Sequence, residues 1–179
     1  MTISTVANAD QMATVRDVPE KTKFTIKYPE IFSNSGVQGY KIFLDRYTLK
    51  APKGDLEEGD LVLAITNKDP KWPQKEIGYI TDVFPEQREA VIWLGDGEYL
   101  PVHWDLISKP LELHPDDVKK RVASVLAQNE SDEIRESVIE SFEQILFNYF
   151  IPGGRILAGA GQKGLTLQNC FVLPAPVDS

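Results

Sequence analysis

The chain has 179 residues, a formal net charge of -8 and a hydrophobic share of 42%. That length allows one or two domains, and that apolar share is ample for a packed core, which excludes global disorder. The acidic balance argues against nonspecific binding to a nucleic acid polymer, which needs clustered Lys and Arg, and against an anionic membrane surface.

From the start of the chain, Met1–Val18 is polar and rich in small residues. It lacks the basic start and apolar stretch of a secretory signal. No apolar run approaches the roughly 18–20 residues of a membrane span. The expectation is a soluble, cytoplasmic protein with no membrane partner.

Residues 1–36 form an N-terminal extension. Within it Lys23–Tyr28 (KFTIKY) alternates apolar and polar residues, which predicts a short strand. Ser33–Gly36 predicts a loop. Residues 37–54 form a helical entry segment, with the helix over 38–50. There Tyr40, Phe43, Leu44 and Tyr47 fall at i, i+3, i+4 and i+7 and make one apolar face. Ala51-Pro52-Lys53-Gly54 ends it.

Residues 55–111 change character. Leu61–Ile65, Glu76–Val83, Ala90–Leu94 and Tyr99–Trp104 are short β-rich runs. Gly95-Asp96-Gly97 predicts a tight hairpin turn. Glu58-Gly59-Asp60-Leu61-Val62 fits a turn entering a first strand. The spacing predicts a small antiparallel barrel of SH3-like type, inserted between helices. Trp72, Trp93, Tyr99 and Trp104 lie in this region, either as its core or as an exposed ligand or partner surface.

Residues 112–151 predict a helical pair. Pro115 suits a first helical turn, and Asp116 and Asp117 complement its dipole. Val118, Val122, Val125 and Leu126 make the first stripe. Asn129 or Ser131 caps the second helix. Its stripe runs Ile134, Val138, Phe142, Ile145, Leu146 and Tyr149. Pro152-Gly153-Gly154-Arg155 then stops it.

Residues 152–179 hold the chemistry-bearing residues. Ile156–Gly161 reads as a small-residue, flexible stretch, and Leu165–Leu173 as a strand apolar on both faces, suited to burial inside a larger sheet. The glycines can expose backbone amides to a phosphate, and Arg155 can add a bidentate partner. The pattern matches neither the Walker loop nor the dinucleotide fingerprint. The single cysteine, Cys170, can form no internal disulfide and no cysteine-based zinc site. A lone cysteine is commonly a small buried hydrophobe. Here it stands beside Gln168 and Asn169, which makes a thiol site an open alternative. His103 and His114 have no second ligand at metal spacing, so no metal site is expected.

The string PGGRILAGAG followed by LTLQNCFVLP resembles the start of the catalytic barrel in ribonucleotide reductase large chains, and is most similar to the adenosylcobalamin-dependent class. FLDRYTLK at Phe43–Lys50 resembles an entry segment of that class. DDVKKRVASVLA at Asp116–Ala127 resembles its following helix, although Val118 stands where Trp is common. The resemblance covers roughly residues 37–179.

It implies an α+β chain in which a small SH3-like barrel is inserted in a helical N-terminal region. The first strand of a ten-stranded α/β barrel then follows. It implies that Cys170 is one of two redox-active thiols reducing the ribose 2′ position, with Asn169, Cys170, Gly154 and Arg155 contacting a ribonucleotide substrate. Adenosylcobalamin would supply the radical from a site outside this chain. The second thiol, the radical cysteine and the carboxylate base lie downstream of the matching region. A single thiol cannot deliver two electrons by an intramolecular disulfide. The expected partner is therefore the C-terminal remainder of the reductase or a second chain, and this chain is inactive alone. The alternative is a non-catalytic binding or regulatory module working through its β-barrel.

Overall fold

The computed structural model describes residues 25–165, other than 70 and 96, together with residue 167. The fold is α+β. A helix α1 (Gly36–Tyr47) precedes strands β1 (Leu61–Asn67), β2 (Gln74–Phe84), β3 (Glu89–Leu94), β4 (Tyr99–His103) and β5 (Ile107–Ser108). Helices α2 (Pro115–Leu126), α3 (Asp132–Ile145) and α4 (Gly154–Gly159) follow.

The five strands form one antiparallel sheet in the order β4-β3-β2-β1-β5. Strand alternation sends successive side chains to opposite faces, and here both faces are buried. Val62, Ala64, Ile80, Ala90, Ile92, Val102 and Ile107 form one core. Val102 and Ile107 come from opposite edges of the sheet yet share that core, so the sheet curls around it. Leu61, Leu63, Ile77 and Trp93 point the other way and join Tyr40, Phe43, Leu44, Val118 and Val122 in a second core against the helices. Burial on both faces explains why β1 and β3 read as nearly continuous apolar runs.

The hairpin turn expected at residues 95–97 joins β3 to β4, with the Gly97 N–H donating to the Leu94 carbonyl at 2.9 Å and Gly97 at φ +94°. Gly78 is required inside β2: a Cβ there would stand 2.4 Å from the Trp93 carbonyl oxygen. The entry and exit of the β unit are sewn together. The Ala51 N–H donates to the Lys109 carbonyl, the Leu111 N–H to the Leu49 carbonyl, and Lys50 bridges Pro110.

Several expectations are corrected. Thr25–Pro29 forms no strand, although Ile26 is buried against the sheet; Lys23 and Phe24 lie outside the described residues. The first helix stops at Tyr47 because Thr48 turns extended to enter the bridge with the 109–112 segment. Strand β5 escapes the sequence because two residues carry no period. Ser131 caps α3 by position but makes no side-chain cap bond.

Helix α3 ends at Ile145 rather than reaching Tyr149, and none of its residues is fully buried. Phe142 and Ile139 pack on the core, whereas Ile134 and Ile145 are exposed. The expected stripe therefore mixes packed and solvent-facing positions. Phe147, at φ +68°, closes a tight loop in which its N–H donates to the Phe150 carbonyl. Ile156–Gly161, expected as a flexible stretch, lies largely in the short helix α4 (Gly154–Gly159), which also takes in Gly154 and Arg155 of the expected helix stop. Leu165 and Leu167 are exposed and outside any described strand, and the rest of the expected Leu165–Leu173 strand lies beyond the described residues. No helix among the described residues is long and apolar enough to cross a membrane.

Candidate functional site

The expected site residues divide in two. Cys170 and Asn169 lie outside the described residues. Gly154 opens α4, where a Cβ would approach the Tyr47 ring at 3.4 Å. Arg155 follows it, exposed and without an ion pair among the described residues. The α4 amides are not laid open as a loop: the Ile156 and Leu157 N–H groups donate to the Gly153 carbonyl.

The polar centre beneath α4 is Arg121. Its guanidinium is 10% exposed and faces the Glu112 carboxylate, itself 9% exposed. Arg121 Nε donates to Glu112 Oε1 at 2.7 Å and Nη2 to Oε2 at 3.1 Å, a bidentate pair. Nη1 donates to the Ala160 carbonyl at 2.7 Å, and the two hydrogens of Nη2 are shared among Glu112 and the carbonyls of Leu157 at 2.8 Å and Tyr47 at 3.0 Å. Glu112 Oε2 also accepts the Leu49 N–H at 2.8 Å. A buried charge pair is tolerable only when its polar atoms are hydrogen-bonded, and here every nitrogen and oxygen of the pair has a partner. One side chain of α2 thus ties the end of α1, the residues preceding α2, and both the body and the C-terminal end of α4.

Next to it, Lys50 folds back on the end of α1. Its Nζ donates to the Thr48 carbonyl and hydroxyl at 2.9 Å each, and to the Leu44 and Asp45 carbonyls. A cation there complements the helix dipole. Burial nevertheless lowers its ammonium to about 8, with Asp45 acting in the opposite sense. Tyr40, buried in α1, donates its hydroxyl to the Leu113 carbonyl at 3.0 Å. Burial, then Tyr79 and Asp117, push its phenol up to about 12.

Sequence reasoning missed this node. A signal was present: Arg121 falls between Val118, Val122 and Val125, on the apolar face of its own helix. A charge in that position needs a buried partner. Glu112, flanked by Leu111 and Leu113, is the matching anomaly. The sequence also missed His114 as the cap of α2. Its Nδ1 accepts the Asp116 N–H at 3.1 Å, while Asp117 returns a bond to the His114 N–H at 3.0 Å.

An apolar groove of about 390 Å³ opens beside the node, with Ile31, Ile42, Phe43, Phe147, Ile151 and Leu157 in its wall. Tyr47 is the only lining residue with a polar side chain. The groove therefore does not fit adenosylcobalamin, whose corrin carries amide side chains that need hydrogen-bonding partners. Among the described residues none is assigned to that cofactor. The four aromatics of the β unit also separate. Trp93 is buried and stacks on Tyr79 at 6.4 Å, Trp104 is half-buried over Gly54, and Tyr99 and Trp72 are exposed.

Compared with known protein families and with curated proteins, the chain matches none.

Proposed function

We propose that the chain is the N-terminal portion of a ribonucleotide reductase of the adenosylcobalamin-dependent class. In this reading the β unit is an inserted SH3-like barrel. Residues 152–179 begin a ten-stranded α/β barrel completed by downstream sequence or a second polypeptide. One observation carries the reading. Three segments far apart in sequence resemble the family, and all three meet at one guanidinium. Tyr47 belongs to the first, Arg121 to the second, and Leu157 and Ala160 to the third. Segments that form one packing unit are expected to be retained together.

Cys170 then supplies one thiol of a redox pair. The overall step converts a ribonucleotide and a dithiol to a 2′-deoxyribonucleotide, a disulfide and water. Two electrons leave the thiols, and the 2′ hydroxyl leaves as water. Adenosylcobalamin, bound elsewhere, supplies the radical chemistry. Asn169, Gly154 and Arg155 contact the substrate. Arg155 is exposed and makes no ion pair among the described residues, which suits a group that meets an anionic ligand.

The test is co-expression with a polypeptide carrying the rest of the barrel, followed by assay with adenosylcobalamin, a dithiol reductant and a ribonucleotide. The expected result is a stable complex that forms deoxyribonucleotide and loses turnover in Cys170→Ser. Failure to associate, or turnover unchanged in Cys170→Ser, overturns the reading. A second reading, a non-catalytic binding module working through the β unit, is favoured by Trp72, which is 79% exposed.

A further inference from the structure

Helix α4 has only six residues and carries Arg155 in its first turn. A helix that short is not stable on its own hydrogen bonds. Where Arg155 stands therefore depends on what holds α4 from outside.

Both ends of α4 are held by groups that Arg121 ties together. At the start, Gly154 lies against the Tyr47 ring, and a Cβ there would stand 3.4 Å from the ring edge. The carbonyl of that same Tyr47 accepts from Arg121 Nη2 at 3.0 Å. At the other end, the Leu157 and Ala160 carbonyls accept from Arg121 at 2.8 and 2.7 Å. Carbonyls in the last turn of a helix lack intrahelical partners, so an outside donor can fix them. Gly161 follows at φ +80°, seated on the stem of the same side chain: a Cβ there would lie 3.8 Å from Arg121 Cδ and 3.4 Å from Val125 Cγ2. The guanidinium itself is kept from turning by its bidentate bond to the buried Glu112. Apolar residues of similar volume would stabilise α2 as well or better than this ion pair. They could not fix carbonyls of α1 and α4 at once.

We propose that Arg121 is a positioning residue for Arg155. Through Tyr47 at one end of α4 and two carbonyls at the other, it sets where Arg155 stands when an anionic substrate arrives. The proposal rests on the reductase reading above, in which Arg155 contacts the ribonucleotide.

The experiment compares wild type, Arg155→Gln, Arg121→Lys and the double variant in the completed enzyme, across a range of ribonucleotide concentrations. Lysine keeps the charge opposite Glu112 but lacks the planar fork that spans the carboxylate and the carbonyls. The expected result is a KM raised about tenfold in Arg155→Gln and about fivefold in Arg121→Lys, with kcat changed less than about twofold. In the double variant KM should match that of Arg155→Gln within about twofold, because misplacing a group that is already absent costs nothing more. Tyr47→Leu removes the ring against Gly154 and leaves the backbone carbonyl in place. It should raise KM in the same non-additive way, and it decides the matter if Arg121→Lys does not fold. In the chain alone, hydrogen exchange at the Leu157, Ala160 and Gln162 amides should quicken about tenfold in Arg121→Lys, with the Ile80 amide of the β unit unchanged. Additive losses in the double variant overturn the proposal. So does an unchanged KM in Arg121→Lys, or exchange that quickens equally at Ile80 and in α4. Failure of the reductase reading looks different: the wild type then forms no deoxyribonucleotide, or Arg155→Gln leaves KM unchanged, and the proposal falls with it.

Discussion

The β unit and the helices are stabilised by different means. The sheet is buried on both faces, and its inner core of Val62, Ala64, Ile80, Ile92, Val102 and Ile107 contains no charge. The helical part shares the second apolar core with the sheet and adds to it a polar node in which one guanidinium is bonded to a carboxylate and three carbonyls. Its outermost helix, α3, has no fully buried residue. An apolar core loses stability in proportion to volume removed. A satisfied ionic node fails abruptly, because removing one member leaves the others buried and unpaired.

The largest effect should come from Arg121→Met. It leaves Glu112 as an unpaired buried carboxylate and should cost about 3–5 kcal/mol, as measured by chemical denaturation. Adding Glu112→Leu should recover part of that loss, since an apolar pair of similar volume is far cheaper than half an ion pair. Ile92→Ala in the sheet core should cost about 2–5 kcal/mol, with no partner substitution able to restore it short of refilling the cavity. Both changes followed by the Trp93 fluorescence and by far-ultraviolet helix signal would show whether the two regions unfold as one.

Smaller effects sharpen the contrast. His114→Ala removes the side-chain cap of α2 and should cost about 1 kcal/mol in the same denaturation assay. Lys50 gives the node a pH signature. Its folded value of about 8 lies below the unfolded value of 10.5. The cost of burying the ammonium is fully present below about pH 8 and is relieved as pH rises to about 10.5, so the unfolding free energy rises over that window. Above pH 10, Tyr40 acts oppositely: with its phenol raised to about 12, the unfolded chain loses that proton first and stability falls. Lys50→Met should flatten the rise that begins near pH 8 and leave the fall beyond pH 10.

What the sequence made legible follows the same division. Four strands announced themselves because their apolar residues recur over five or more positions. Helix α1 did so through Tyr40, Phe43, Leu44 and Tyr47, of which the first three are buried. The two-residue β5 had no period to read, and α4 was hidden because its glycines have poor helix propensity and the helix depends on tertiary packing. The second helix was the most misleading. Its periodicity was genuine, but periodicity identifies an apolar stripe without saying how much of it is covered. Ile134 and Ile145 remain in solvent. For the site, Gly154 and Arg155, expected in a glycine loop, open helix α4, while Asn169 and Cys170 lie outside the described residues. The node at Arg121 is hard to read from sequence because a charged residue on a helix is ordinarily part of a solvated face. Only its position among Val118, Val122 and Val125 betrays it.

The proposed redox role of Cys170 has a direct chemical readout. With the completed barrel, adenosylcobalamin and ribonucleotide present but no external reductant, a single turnover should oxidise the redox pair as it forms product. Peptide mass spectrometry of the quenched reaction should find Cys170 in a disulfide with a cysteine of the completing sequence, in proportion to the deoxyribonucleotide formed. Deoxyribonucleotide formation with Cys170 still a free thiol would contradict the account.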